Sequence, residues 1–84
     1  MSKCVQYTTE TKIFVQTGST DSNCNSLLFV NTGIPAVFVD GVELQQGQQL
    51  RIDGNENEIC VKTYYFTFAT GTNPQLTVVF KKYI

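Results

Sequence analysis

The side chains that could carry chemistry are seven carboxylates, three thiols, four tyrosines and six phenylalanines; histidine and tryptophan are absent. Without an imidazole the chain lacks the usual general base, the commonest metal ligand and every Ser–His or Cys–His nucleophile. The carboxylates Glu10, Asp21, Asp40, Glu43, Asp53, Glu56 and Glu58 fall mostly in turns or on polar strand faces, and no spacing pairs two of them for acid–base work. The thiols Cys4, Cys24 and Cys60 have only Lys3 and Lys62 nearby to favour a thiolate, so packing as small apolar side chains is the better reading. Their odd number and the absence of a C-x-x-C spacing argue against a disulfide scaffold and a structural zinc site. One disulfide with a spare thiol stays open.

Asp53-Gly54-Asn55-Glu56-Asn57-Glu58 sets oxygen ligands at alternate positions, as the front half of a calcium loop does. The sixth position, which needs glycine, is Glu58, and the twelfth, which needs a bidentate glutamate, is Tyr64. A turn accounts for the same residues, and no metal site is predicted. The aromatic run Tyr64, Tyr65, Phe66 and Phe68 could stack sugars or bases, but alternating aromatics in a strand are by default core. Together these residues predict a non-enzymatic chain with no catalytic residue and no cofactor.

The elements that hold these side chains centre on residues 31–58. Asp40-Gly41 between alternating apolar residues predicts a two-residue type I′ hairpin, because both central positions need φ > 0. Its register sets Val39 against Val42, Phe38 against Glu43 and Val37 against Leu44. Val37, Val39, Val42 and Leu44 then share the apolar face, and Phe38 lies on the other.

All six glycines and both prolines are read as turn positions. Between them, strands are predicted over residues 4–9 and 12–17, joined tightly at Glu10-Thr11. A polar loop over 17–25 follows, then a strand apolar on both faces over 26–31, which must be central or covered twice. Residues 49–52 point Leu50 and Ile52 inward. In the run 58–69, Ile59 and Val61 have the opposite parity to Tyr64, Phe66 and Phe68, and a bulge near Lys62-Thr63 would turn both sets inward. The last strand, 76–83, buries Leu76, Val78 and Phe80. No window has helical spacing. The reading is one all-β domain, 1–84, a small antiparallel β-sandwich or partly open barrel of about eight short strands.

A net charge of −1 gives no basic surplus for nucleic acid. No apolar run is long enough for a membrane span or a signal peptide, and with the cysteine usage this predicts folding in a reducing cytosol. Phe38, Phe14 and Tyr65 are expected to face away from the core, which on so small a domain calls for cover by self-association or a larger surface.

Asn31-Thr32-Gly33, then Val37-Phe38-Val39-Asp40-Gly41-Val42-Glu43-Leu44, Gly47-Gln48, Gly54-Asn55-Glu56, Glu58-Ile59, Tyr64 and Phe66-Thr67-Phe68 resemble small β-sandwich structural proteins of tailed-phage virions. In those an NTG turn, a V-x-V-x-G-x-x-L hairpin and a GQ turn precede a strand of aromatics. The resemblance implies a bacteriophage decoration or cement protein on the capsid, or an adaptor under a head or tail fibre, assembled into the virion in the host cytoplasm. Its partner would be the major capsid protein or another virion protein, with self-association and no nucleic acid or membrane. The expected contacts are Phe38, Phe14, Tyr65 and the terminal Lys81, Lys82, Tyr83 and Ile84. The alternative is a glycan- or ligand-binding module using the polar loops 17–25 and 69–75.

Overall fold

A computed structural model describes residues 6–54 and 58–83. The described residues form eight strands: β1 (Tyr7–Phe14), β2 (Gly18–Asp21), β3 (Ser26–Asn31), β4 (Val37–Val39), β5 (Val42–Leu44), β6 (Gln49–Ile52), β7 (Thr63–Phe68) and β8 (Leu76–Tyr83). The chain is best understood outward from Asp40-Gly41. Both residues have positive φ, 49° and 85°, as a type I′ turn requires. β4 and β5 pair Val37 with Leu44, Phe38 with Glu43 and Val39 with Val42, the register that the turn length dictates.

Outside that tip, β3 pairs with β6, β2 with β7 and β1 with β8, all antiparallel. The chain is therefore one long hairpin folded back at Asp40-Gly41. It is wound so that the pairs fall in alternate sheets. Sheet A has the order β1-β8-β3-β6 and sheet B the order β2-β7-β4-β5. Two antiparallel four-stranded sheets in this order make a jelly roll.

Alternation along each strand fills the space between the sheets. Leu27 and Phe29 of β3 and Leu76, Val78 and Phe80 of β8 meet Val37, Val39, Leu44, Tyr64 and Phe66 of sheet B. Phe29 and Tyr64 have ring centroids 5.2 Å apart, and Phe14 and Phe66 4.8 Å. Leu50 and Ile52 pack against this core from β6, as their parity predicts. β3 is central in its sheet, with Leu28 and Val30 half-buried on the outer face.

Asn31 ends β3 inside the molecule, at 0% exposure. Its Nδ2 donates to the carbonyls of Pro35 (2.9 Å) and Leu44 (2.8 Å), and its Oδ1 accepts the Gly33 N–H (3.0 Å). Its own N–H donates to the Gln48 carbonyl, and its carbonyl accepts from Gly47. One residue thus ties the 32–35 turn to the end of β5 through its side chain and to the turn entering β6 through its backbone. Beside it, Thr32 and Gly33 both donate to the Gln75 carbonyl. A Cβ on Gly33 would collide with the backbone at Asn73 and Gln75, so glycine is required by close approach.

Several expectations are corrected. The two predicted strands 4–9 and 12–17 are one strand, β1; residues 4 and 5 lie outside the described residues. Glu10-Thr11 holds no turn former, and β8 offers it an unbroken eight-residue ladder. The predicted polar loop contains β2, which adds to β7 and buries Thr20. Gly18 accordingly lies in a strand, not a turn.

No bulge occurs near Lys62-Thr63, and Ile59 and Val61 stay 58% and 77% exposed. Cys60 shares parity with Tyr64, Phe66 and Phe68 and packs inward with them. The segment is held there by a bridge between Cys24 and Cys60 and by Ser22 Oγ donating to the Cys60 carbonyl at 2.6 Å. Phe14, expected outward, packs against the core, and Ile13 is the exposed neighbour. Val42 lies opposite buried Val39 yet is exposed, because β5 is a three-residue edge strand.

Replacing Asn31 by alanine would take the buried donor away from the Pro35 and Leu44 carbonyls and leave the Gly33 N–H with the Gln75 carbonyl alone. We expect Asn31→Ala to lose about 3 kcal/mol or more in urea unfolding. A loss below about 1 kcal/mol would show that these groups find water or other partners.

Candidate contact surface

Sheet B has one face on the core and one face outward. On β7, Tyr64 and Phe66 point in, so Tyr65 and Thr67 point out; on β4, Phe38 lies between inward Val37 and Val39. Phe38 sits across from Thr67 on one side and Glu43 on the other, and Tyr65 across from Ser19. Phe38 is 37% and Tyr65 65% exposed, so two aromatic rings occupy neighbouring strands of a face otherwise made of hydroxyls and the carboxylates of Asp21 and Glu43. Their outward placement agrees with the parity of the Asp40-Gly41 hairpin.

The Asp40 carboxylate closes one end of this face. Lys62 Nζ lies 2.6 Å from its Oδ2, and the Tyr65 N–H donates to its Oδ1 at 3.3 Å. The Asp40 N–H donates in turn to the Tyr65 carbonyl at 2.8 Å. The hydrogen bond from Lys62, then that from Tyr65, holds the Asp40 carboxyl below its ordinary value of 3.8. The hairpin tip is thereby fastened to β7 beside Tyr65. Sequence spacing does not reveal this pair, because only the winding of the long hairpin brings residue 62 to residue 40.

The other expected contacts are placed differently. Lys81 lies on the outer face of sheet A, with its Nζ 4.4 Å from the Tyr7 ring centroid and 5.0 Å from that of Tyr83. Such an ammonium is held by its own two aromatics. Lys82 faces the other way, into a groove of about 420 Å³ that also has Glu10, Lys12, Asp21, Cys24 and Phe80 in its wall. The groove mixes both signs of charge. β8 is flanked by β1 and β3, so its backbone offers no free edge, and Ile84 lies outside the described residues. Phe14 belongs to the core side.

For chemistry the thiols are poorly set up. Cys24 and Cys60 meet as facing residues and both are free thiols; Cys4 lies outside the described residues. Burial first, and then neighbouring Cys60, push the Cys24 thiol up from its ordinary 9.0, away from the nucleophilic thiolate. Among the described residues no group of three His, Cys, Asp or Glu side chains could hold a metal ion. The half-loop at 53–58 falls partly on residues 55–57, outside the described residues. No protein-family model, curated protein or solved structure matches the chain.

Tyr64 is the strongest titration probe of this region. Burial, and then its hydrogen bond with the Cys60 sulfur (3.4 Å), push its hydroxyl from 10.0 up to about 12. A raised acid favours the fold fully below the unfolded value, and that contribution is lost as pH rises through the folded one. Stability should therefore fall between pH 10 and about 12, and Tyr64→Phe should flatten that fall. Urea midpoints across this range check it; an unchanged slope in the variant would contradict it.

Proposed function

We propose that this chain is a non-enzymatic structural protein of a virion, of decoration or cement type, which seats on a larger protein surface through the outer face of sheet B. The observation that carries the reading is the placement of Phe38 and Tyr65 outward on adjacent strands, fixed there by a hairpin whose tip is fastened to β7. Large aromatics in such positions are the residues that anchor protein interfaces when a partner desolvates them. The polar surround of Ser19, Thr67, Glu43 and the Asp40–Lys62 pair fits the rim of such a contact. Eight-stranded jelly rolls occur in viral capsid domains, a likeness of architecture alone. The turn pattern from Asn31 to Phe68 points the same way. The partner on this reading is the major capsid protein or another virion protein, and binding stabilises the particle by mass action.

A second reading rests on the same face: a tyrosine ring beside Ser19 and Asp40 also suits a sugar, and jelly rolls include lectins. The two readings separate on one pair of variants. Phe38→Ala and Tyr65→Ala should each unfold within about 1 kcal/mol of the parent, because neither ring is core. Co-sedimentation with capsid shells should weaken about tenfold or more in each. Unchanged sedimentation of both variants would remove this face from the proposal. Glycan-array binding that Tyr65→Ala abolishes would select the sugar reading instead.

A further inference from the structure

β1 ends sheet A in the order β1-β8-β3-β6, so one edge of its backbone faces no strand of the described chain. Among the described residues it is much the longest edge. β2 and β6 have four residues each and β5 three, whereas β1 has eight. Exposed edges are usually blunted by shortness, proline, a bulge or charge. β1 contains neither proline nor glycine, and its register with β8 is unbroken from Tyr7 opposite Tyr83 to Phe14 opposite Leu76. Its only charges are Glu10 and Lys12, one of each sign, on the same face of the strand.

We propose that this edge is a seam between two copies of the chain: β1 pairs antiparallel with β1 of a second copy about a two-fold axis centred on Thr11. The two A sheets then become one eight-stranded sheet. A two-fold that joins identical edges antiparallel stands perpendicular to the sheet and keeps each face continuous. Only residues of the same parity then face one another. Centring on Thr11 sets Glu10 opposite Lys12 of the second copy, and Lys12 opposite Glu10, two opposite-charge pairs in directly facing positions.

The neighbouring registers fail on charge. Centring on Glu10 sets Glu10 against itself, and centring on Lys12 sets Lys12 against itself, and like charges directly opposite destabilise a pair. Among these three, the order Glu10-Thr11-Lys12 therefore favours the register centred on Thr11, which faces opposite charges. Within one copy Glu10 and Lys12 stand 4.0 Å apart with side chains 70% and 48% exposed, a weak ion pair, and Lys12 Nζ also lies 5.3 Å from the Phe80 ring centroid. On the outer face the same register brings Tyr7 opposite Val15 and Ile13 opposite Thr9 of the second copy. Tyr7, Ile13 and Val15 are each more than half exposed in the single chain, and the seam gives all three apolar cover. The seam involves sheet A alone and forms whether or not Phe38 and Tyr65 meet another protein.

The test is the solution mass of the full chain and of charge-reversed variants by sedimentation velocity. One strand pair lies at the small end of stable interfaces, so concentrations up to about 0.5 mM are needed. The parent should reach dimer. Glu10→Lys and Lys12→Glu alone should each raise the dimer dissociation constant about tenfold or more, since each sets like charges across the seam. Mixing these two variants should restore a dimer of one copy of each, because every facing pair is again opposite in sign. Glu10→Lys with Lys12→Glu in the same chain should dimerise like the parent. Urea unfolding of a single variant at low concentration checks that the fold is intact. A parent that stays monomeric at about 0.5 mM, or a dimer indifferent to the single reversals, overturns the proposal.

Discussion

The buried amide of Asn31 is the constraint on which the rest of the structure depends. A side-chain amide taken wholly out of water destabilises a fold unless its donors and acceptor are matched. Here both Nδ2 protons and Oδ1 have partners, and the backbone groups of the same residue bind Gly47 and Gln48. Those partners come from three places: the turn after β3, the end of β5 and the turn before β6. Where β3 stops, where the tip hairpin begins and where β6 returns are thus set together. The jelly roll needs such a device. Apart from β4 to β5, every connection crosses between sheets, and a crossing backbone has lost the ladder that would satisfy it.

The opposite end of the sandwich uses the same device. Ser22 and Asn25 are buried between β2 and β3. Ser22 Oγ bonds the carbonyls of Cys60 and Lys62 and accepts the Lys62 N–H. Asn25 donates to the Glu58 carbonyl at 2.7 Å and accepts the Tyr83 N–H at 2.8 Å. Among the described residues every buried side-chain nitrogen and oxygen has a partner. Polar pins at the crossings and an apolar core between the sheets divide the work. The pins choose the topology, and the core supplies most of the driving force.

The parts of this arrangement legible in the sequence are the local ones. The register at Asp40-Gly41, the bounds of β3 and β8, and the inward set Leu50, Ile52, Tyr64, Phe66, Leu76, Val78 and Phe80 follow from turn chemistry and a period of two. Phe38 and Tyr65 on the outer face follow from the same parity. What was hidden depends on partners far along the chain. Gly18-Ser19-Thr20-Asp21 has the composition of a loop and becomes a strand because β7 presents an edge to it. Glu10-Thr11 looks like a join between two strands and stays extended because β8 is long enough to pair throughout. Ile59 and Val61 are apolar yet exposed, because the pins at Ser22 and Cys24 turn Cys60 inward instead. The Asp40–Lys62 pair and the free edge of β1 are also products of winding, so no local window displays them.

The measurement closest to the centre of this account is native-state hydrogen exchange, read by NMR at the Asn31 side-chain amide and at the Gly33 and Gly47 backbone amides. If Asn31 holds the three segments as one unit, these protons exchange only with global unfolding, at the free energy that β3 and β8 report. If they exchange by a local opening while the β3 and β8 amides stay protected, the turns move independently of the sandwich and Asn31 is not its keystone.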